Sequence, residues 1–311
     1  MVDIYFLGSG GSIPTEDRRH PAILLRYEGW NLLWDAGESV QMRIESHGIN
    51  RKMIIFITHK HPDHNMGLAG ILLRFSLLGR IKPLEVYGPK DLIPWVKIQQ
   101  ESINLGTTFP TTVYGIEEGV IWSDGFASMR SFEVDHRGFA VGYEFTITKP
   151  TGKFLPDKAE EIGVPKGGLW GKLASGESIE LEDGTVVKPG DVSLPADKGL
   201  KVVYSGDTRP CDNLRSAAKD ADILIHEAMY TEEHSDLAAE RGHSTAKQAA
   251  QLASEAGVGL LILTHYSPRY ENGDVILEEA KSVFDNTILA RDLMKVSLSN
   301  DGHIEIEDPT S

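Results

Sequence analysis

The chain has 311 residues, 41% of them hydrophobic, and a formal net charge of −15 at pH 7. This length fits one large α/β domain with an insertion, and the acidic balance argues against a surface that binds nucleic acid over its whole extent. No apolar run is long enough to span a membrane, no secretory signal opens the chain, and the single cysteine, Cys211, excludes an intramolecular disulfide and a multi-cysteine zinc site. These features predict a cytoplasmic protein with no membrane partner.

The first half of the chain predicts short strands followed by helices. Residues 68–78 are apolar nearly all round, which indicates a buried helix, and a second helix is expected to end near residue 102. Residues 112–147 predict several strands separated by Gly and Asp turns. The other short apolar runs that predict strands are 4–7, 22–27, 32–34, 53–58 and 84–87.

Residues 149–199 differ in composition from the rest of the chain. They are dense in Gly, Pro and Lys and lack a long apolar periodicity, which predicts an inserted, flexible and partly extended arm without a core of its own. A strand–helix alternation then returns, with strands predicted at 201–204, 223–225 and 260–263 and a helix at 245–256 whose first residues fit a capping box. We therefore expect a single domain over residues 1–311 that carries one insertion.

The stretch ITHKHPDHNMG, directly after the apolar run 53–58, contains three histidines and an aspartate within six positions. Imidazole and carboxylate groups are suitable zinc ligands. His59 and His61 are two residues apart, so in an extended segment they point the same way and can share one metal ion. Asp63 and His64 lie beyond a turn forced by Pro62 and can reach a second ion.

Three other predicted strands also end in His, Asp or Glu. Asp207, Glu227 and His265 each follow a short apolar run. Ligands gather beyond the carboxyl ends of strands in α/β sheets, so we expect these side chains at one sheet edge with the histidine cluster. His136, Asp207 and His265 can complete a two-metal site, with Asp207 as the natural bridge. Such a site holds a hydroxide near neutral pH and promotes phosphoryl displacement, and the same ligands could also hold manganese or iron.

Several motifs also resemble those of a known family. ITHKHPDHNMGLAG is similar to the H-x-H-x-D-H signature of the metallo-β-lactamase fold. A fuller set, spread between about residues 2 and 300, resembles the ribonuclease Z family of tRNA 3′-processing endonucleases. These segments are YGP at 87–89, GY at 142–143, YSGDTRP at 204–210, HEA at 226–228, GHST at 242–245 and LTHYSPRY at 263–270.

The resemblance implies a four-layer αββα sandwich of the α/β class with an inserted arm, two zinc ions per subunit and a homodimer. It assigns one zinc ion to His59, His61 and His136, the other to Asp63, His64 and His265, and the bridging position to Asp207. It also implies that Asp63 is the proton acceptor and that Glu227 and His243 assist proton transfer to the leaving group. Because a zinc-bound carboxylate is a weak base, Asp63 is expected to orient the attacking water more than to deprotonate it.

The function implied is zinc-dependent cleavage of precursor tRNA on the 3′ side of the acceptor stem, which removes the trailer and leaves a 3′-OH. A general phosphodiesterase or other small-substrate hydrolase of the same fold is the alternative. A non-catalytic binding subunit is less favoured because all seven ligand positions are filled.

The expected RNA contacts lie mainly on the arm. Residues 149–173 hold five lysines against three acids, a net +2 that is opposite in sign to the whole chain. A local basic surface of this kind can bind phosphates and 2′-hydroxyls. The predicted substrate-binding residues are Lys153, Lys158, Lys166, Lys172, Arg18 and Arg269. Gly167-Gly168 replaces the Gly-Pro pair usual in the family's arm, and Pro62 replaces its usual Gly.

Overall fold

The computed structural model describes residues 1–44, 49–102, 106–196 and 199–309. Its strands are β1 (Val2–Gly8), β2 (Ala22–Tyr27), β3 (Trp30–Trp34), β4 (Lys52–Phe56), β5 (Leu84–Gly88), β6 (Thr111–Gly115), β7 (Gly119–Asp124), β8 (Ala127–Glu133), β9 (Val141–Ile147), β10 (Ile179–Glu180), β11 (Val186–Val187), β12 (Leu200–Tyr204), β13 (Ile223–Glu227), β14 (Leu260–Thr264), β15 (Thr287–Leu289), β16 (Lys295–Leu298) and β17 (Ile304–Glu307). Its helices are α1 (Pro62–Asn65), α2 (Gly67–Leu77), α3 (Leu92–Ser102), α4 (Pro156–Glu161), α5 (Gly168–Ala174), α6 (Asp212–Ala218), α7 (Ser235–Arg241), α8 (Ala246–Ala256) and α9 (Asp274–Lys281). No described helix has the length and apolar character needed to cross a bilayer.

Two large sheets form the centre of the fold. The first has the order β17-β16-β1-β2-β3-β4-β5-β6, and the second has the order β15-β14-β13-β12-β9-β8-β7. Neighbours are parallel from β3 to β6 in the first sheet and from β12 to β15 in the second. Each sheet therefore has a block of strands whose carboxyl ends lie along one edge.

The side chains sort into four layers. The sheets face each other across a core that includes Trp34 and Phe56 from the first sheet and Tyr143 and Ile262 from the second. Helices α2 and α3 cover the outer face of the first sheet, while α6, α8 and α9 cover that of the second. Burial of each large apolar side chain contributes about 1.5–3 kcal/mol, so both the facing sheet and the outer helices stabilise each sheet. This architecture confirms the expected αββα sandwich.

Helix α8 shows how local sequence sets an element's limits. The side chain of Thr245 accepts a hydrogen bond from Gln248 N, the Gln248 side chain accepts one from Thr245 N, and Gly257 ends the helix with a φ of 68°. Alanines on its buried face let the helix lie close to the second sheet. The capping box predicted from the sequence is thus confirmed.

The insertion is folded, in contrast to the expectation of a partly extended arm without a core. Helices α4 and α5 and the β10–β11 hairpin enclose a small apolar cluster, which consists of Ala159, Val164, Leu173, Ile179, Val187 and Val192. These residues are spread singly over short elements, so they produce no periodicity that the sequence could reveal. The two ends of the insertion pair through Gly152 N to Leu194 O (3.0 Å) and Leu194 N to Lys153 O (2.9 Å). Residues 197 and 198 of the predicted arm lie outside the described residues.

Candidate metal centre

Strand ends from both sheets meet at one end of the sandwich. His59 follows β4 of the first sheet, while Asp207 follows β12 and His265 follows β14 of the second. Glu227 is the last residue of β13, between β12 and β14. The sequence predicted a single sheet edge, but the site forms between the edges of two facing sheets.

One group of ligand-type atoms surrounds His61. Its Nδ1 lies 2.9 Å from His59 Nε2 and 3.2 Å from His136 Nε2. Asp207 Oδ2 lies 3.7 Å from His59 Nε2 and completes the group. The extended backbone of His59 and His61 turns both rings toward the same point, as their spacing predicted.

A second group adjoins the first. Pro62 begins α1, so Asp63 and His64 leave the extended path and face His265. His265 Nε2 is 3.3 Å from His64 Nε2 and 3.4 Å from Asp63 Oδ2. Asp207 Oδ2 lies 3.4 Å from His64 Nε2, and Asp207 Oδ1 lies 3.4 Å from His265 Nε2. Asp207 therefore contacts both groups, which is the arrangement a bridging ligand requires.

Hydrogen bonds behind the rings orient three of the histidines. Nδ1 of His59 contacts Thr58 Oγ1 at 3.0 Å, Nδ1 of His64 contacts Asp35 Oδ2 at 2.8 Å, and Nδ1 of His136 contacts the Gly242 carbonyl oxygen at 2.6 Å. Each Nδ1–H donates outward, so in the neutral ring each Nε2 presents its lone pair to the centre. Metal ligation through Nε2 requires this tautomer.

The protonation chemistry of the groups also suits a divalent metal. Burial lowers the pKa of His59, His61 and His136 and so favours neutral imidazoles. Burial opposes ionisation of Asp207, but His265 and His64 hold its pKa well below the ordinary value, and its buried Oδ1 accepts no hydrogen bond within the described residues. A cation would satisfy that oxygen.

His64 behaves differently from the other rings. Burial opposes its protonation, but Asp207 and Asp35 raise its pKa well above the ordinary value. Metal binding at Nε2 would displace this proton, as is usual for histidine ligands. The residues present thus fit one or more divalent ions.

A buried acid–histidine pair lies beside the two groups. His243 Nδ1 is 2.9 Å from Glu227 Oε1, and the Glu227 carboxylate also accepts hydrogen bonds from Thr208 N (2.9 Å) and Met229 N (3.0 Å). Burial alone would lower the pKa of His243, but Glu227 and Asp207 raise it to about 9. The His243 ring centre lies 5.1 Å from that of His136 and 5.7 Å from that of His265. The structure therefore places a carboxylate-paired imidazole beside the metal groups.

The residues predicted to bind substrate occupy three environments. The four lysines of the insertion that were predicted to bind substrate are exposed, and Lys166 pairs with Glu160 at 2.6 Å. Arg269 is exposed, with its guanidinium 5.3 Å from the centre of the Tyr230 ring. Arg18 is only 6% exposed and donates to the carbonyl oxygens of Tyr266 (2.9 Å) and Glu271 (3.3 Å). Arg18 thus braces the loop after His265.

Sequence reasoning missed Asp35, which directly follows β3. Its fully buried carboxylate accepts hydrogen bonds from Thr58 N (2.8 Å), Tyr204 OH (3.0 Å) and His64 Nδ1 (2.8 Å). An acidic residue just past a short apolar strand is the same signal that marked Asp207. Asp35 holds His64 in position from behind.

Replacing Asp35 with asparagine is expected to lower the affinity of the centre for zinc by about 10- to 100-fold. The amide keeps the volume but cannot offer two carboxylate oxygens to the surrounding donors, so the His64 ring loses its fixed orientation. Competition titration with a chromophoric chelator measures the change. The control is Asp222→Asn, which removes a carboxylate that accepts from Lys201 N at the opposite end of the second sheet. Equal affinities in both variants would contradict the role of Asp35.

Two family models match parts of the chain. The model described as a beta-lactamase superfamily domain covers residues 191–266, and that of the anti-Pycsar protein Apyc1 covers residues 2–102. The first match includes Asp207, Glu227, His243 and His265, and the second includes the 59–64 cluster. Both groups of the metal centre therefore lie mainly in matched segments.

Full-length relatives extend these matches. The ribonuclease Z of Gemmatimonas aurantiaca is 41% identical over 95% of this chain and 96% of its own. That of Archaeoglobus fulgidus is also 41% identical, over 97% of this chain and 99% of its own. The crystal structure of the short form of human tRNase Z superposes with a TM-score of 0.65 and 25% identity, over 95% of this chain and 98% of that one. This chain belongs to the ribonuclease Z family and has the metallo-β-lactamase fold.

Proposed function

We propose that this chain is a metal-dependent endoribonuclease that cleaves precursor tRNA on the 3′ side of the acceptor stem. It removes the 3′ trailer and leaves a 3′-OH on the tRNA. The observation that carries the proposal is the pair of His/Asp groups that share Asp207 and adjoin the Glu227–His243 pair. The relatives named ribonuclease Z support this activity over nearly the whole chain.

The centre is proposed to hold two zinc ions, and manganese or iron are alternatives for the same nitrogen and oxygen ligands. His59, His61 and His136 would hold one ion, Asp63, His64 and His265 the other, and Asp207 both. When bound, the two ions would acidify a water molecule and neutralise charge on the scissile phosphate.

Asp63 is proposed to orient the attacking water. Burial would raise the pKa of its carboxyl, but His64 and His265 hold that pKa far below the ordinary value. A carboxylate with so low a pKa accepts hydrogen bonds readily and protons poorly. Ser12 N also donates to Asp63 Oδ2 at 3.1 Å, which fixes the carboxylate in place.

His243 is proposed to donate a proton to the departing 3′ oxygen of the tRNA. Its Nδ1–H is held by Glu227, and its Nε2 makes no hydrogen bond to any residue that the structure describes. The raised pKa keeps the ring protonated at neutral pH. Glu227 is itself fixed by two backbone N–H groups, so the ring is oriented before the substrate binds.

The function is tested by incubating the protein with a 3′-extended tRNA, with and without chelator, and sizing the products. We expect one tRNA-sized product that ends at the acceptor end and a separate trailer. Chelator should abolish both products, and added zinc should restore them. Absence of tRNA cleavage combined with hydrolysis of bis(p-nitrophenyl) phosphate would replace this proposal with a small-substrate phosphodiesterase.

The insertion is proposed to be an RNA-binding exosite. The four lysines predicted to bind substrate are exposed and lie on or beside α4 and α5. They are separate from the β10–β11 half of the insertion, which is acidic. Lysines of this kind bind phosphates as point charges, and such contacts anchor the RNA without reading its sequence.

Replacing residues 153–193 with a short linker is expected to reduce tRNA cleavage by roughly 100-fold or more, because the RNA loses its distant phosphate contacts. The backbone pairing of residues 152–153 with 194 shows that a short linker can span the gap. Hydrolysis of bis(p-nitrophenyl) phosphate should persist.

A second variant, with Lys153, Lys158, Lys166 and Lys172 changed to glutamine, keeps the small core of the insertion and should show the same selectivity. Parallel loss of both activities in both variants would make the insertion a structural element instead.

We also propose a cytoplasmic homodimer, as the resemblance implies. Helix α2 and the segment after it expose Leu73 (48%), Leu77 (78%) and Ile81 (73%), an apolar surface that a second copy could cover.

A further inference from the structure

His265 differs from other histidines of the metal centre in how its ring is held. The Nδ1 atoms of His59, His64 and His136 each have a hydrogen-bond partner. His265 is only 1% exposed, yet its Nδ1 has no such partner among the residues that the structure describes. Histidine ligands are usually oriented by a hydrogen bond at the second ring nitrogen. The orientation of His265 therefore depends on its backbone and on packing.

The backbone of His265 has an unusual conformation. Its φ is 55°, in the left-handed region that residues with a Cβ rarely adopt. Such a conformation persists only where neighbouring groups hold it. His265 N donates to the Ser9 carbonyl oxygen at 2.9 Å, and Tyr266 forms a parallel bridge with Gly10. The loop between β1 and β2, residues 9–21, thus aligns the segment that carries this ligand.

Gly11 of the same loop packs directly on His265. A Cβ placed on Gly11 would lie 2.7 Å from the His265 carbonyl oxygen and 2.9 Å from its Nδ1. Real Cβ atoms do not approach other atoms so closely, so any larger residue at position 11 would displace the loop or the histidine. The missing side chain therefore lets the loop confine the ring.

Arg18 holds the chain just beyond His265. Its buried guanidinium donates to the carbonyl oxygens of Tyr266 (2.9 Å) and Glu271 (3.3 Å). The central carbon of this guanidinium lies 3.7 Å from the centre of the Tyr266 ring. A planar guanidinium can donate two hydrogen bonds and stack on an aromatic face at the same time, which an ammonium group cannot do. Arg18 thus fixes the residue that follows the ligand.

Asp292, which follows β15, anchors the loop. Its Oδ1 accepts from Ser9 N (2.8 Å) and Ser9 Oγ (2.7 Å), and its Oδ2 accepts from Arg19 N (2.8 Å). The segment that contacts His265 is therefore tied to a separate part of the chain on both sides. From this fixed segment, Ser12 N also donates to Asp63 Oδ2 at 3.1 Å.

We propose that Gly11 and Arg18 are positioning residues for His265 and set the affinity of the ion that His265 is proposed to hold. Gly11 confines the ring and Arg18 fixes the chain beyond it, in place of the hydrogen bond that Nδ1 lacks. The inference rests on the proposed role of His265 as a metal ligand. It gives Arg18, which the sequence predicted to bind substrate, a role in metal binding.

The effect is confined to one of the two proposed ions. The loop contacts His265 and Asp63, and both are assigned to the second ion. The rings of His59 and His136, assigned to the first ion, are held by groups outside the loop. Loss of support from the loop should therefore weaken binding of the second ion and spare the first.

The test isolates each ion in turn. Arg18→Ala and Gly11→Ala are each combined with His61→Ala, which removes a ligand of the first ion and leaves the ion at His265 to be titrated. Competition with a chromophoric chelator should show about 10- to 100-fold weaker zinc binding than in His61→Ala alone. The control in the same background is Gly171→Ala, whose added Cβ has no neighbour within 4 Å, and its zinc affinity should be unchanged.

The reciprocal background is His265→Ala, which leaves the first ion. Adding Arg18→Ala or Gly11→Ala to it should change zinc affinity less than twofold, because the ligand that these residues position is already gone. A similar loss in both backgrounds would indicate general damage to the fold and overturn the inference.

Arg18→Ala in the otherwise unchanged chain separates metal support from RNA contact. We expect tRNA cleavage to fall at limiting zinc and to recover at saturating zinc, with the KM for precursor tRNA unchanged. A raised KM at saturating zinc, together with wild-type zinc affinity, would overturn the inference and make Arg18 a substrate-binding residue. If the wild-type chain binds zinc but cleaves no precursor tRNA, the proposed function fails while the zinc titrations still decide the role of Arg18.

Discussion

Asp207→Ala is expected to abolish tRNA cleavage, with a loss of more than about a thousandfold in kcat/KM. Changes to groups that only support a metal ligand already cost about 10- to 100-fold, and Asp207 contacts both ligand groups directly. Its removal would leave each ion short of one ligand and take away the negative charge that lies between His59, His64 and His265. Metal content per chain, measured by mass spectrometry after dialysis, should fall together with activity.

Asp207→Asn separates the charge from the shape of this side chain. Asparagine keeps the volume and one carbonyl oxygen, so the fold should persist, but a neutral amide cannot bridge two cations as a carboxylate does. Circular dichroism and the unfolding temperature, both measured in the presence of chelator, report on the fold independently of the metal. If either Asp207 variant retained full metal content and activity, the shared-ligand arrangement would be wrong.

His243→Ala and Glu227→Gln are expected to lower kcat by about 10²- to 10⁴-fold, the usual contribution of a general acid. The two residues form one unit, since Glu227 orients the ring and raises its pKa. The double variant should therefore be no worse than the more damaging single variant. Single-turnover cleavage of precursor tRNA under saturating enzyme measures the chemical step.

Metal content distinguishes this role from that of a ligand. Both single variants should retain the wild-type number of ions, because the proposed ligand sets do not require His243. The control is His303→Ala, an exposed histidine between β16 and β17. Loss of metal in His243→Ala would reassign this residue as a ligand, and strictly multiplicative effects of the two changes would show that Glu227 acts separately.

The sequence alone predicted most of the ligand-type side chains that cluster at the centre. Residues 59–64 carry ligand-type side chains. The extended backbone directs His59 and His61 to one group, and the turn at Pro62 directs Asp63 and His64 to the other. Spacing and backbone conformation of this kind are local properties. Asp207, Glu227 and His265 were identifiable because each ends a short apolar run. The capping box of α8 is likewise local, since Thr245 and Gln248 are one helical turn apart.

Only the tertiary structure decided which atoms meet. Asp35 supports His64 from 29 positions away, and the site combines the edges of two sheets, which no single segment specifies. Arg18 supports the loop after His265, because this loop, some 250 residues away in the chain, folds over it. The core of the insertion also depends on contacts between short, separate segments. Periodicity reports the burial of one continuous element, whereas these features arise from packing between elements.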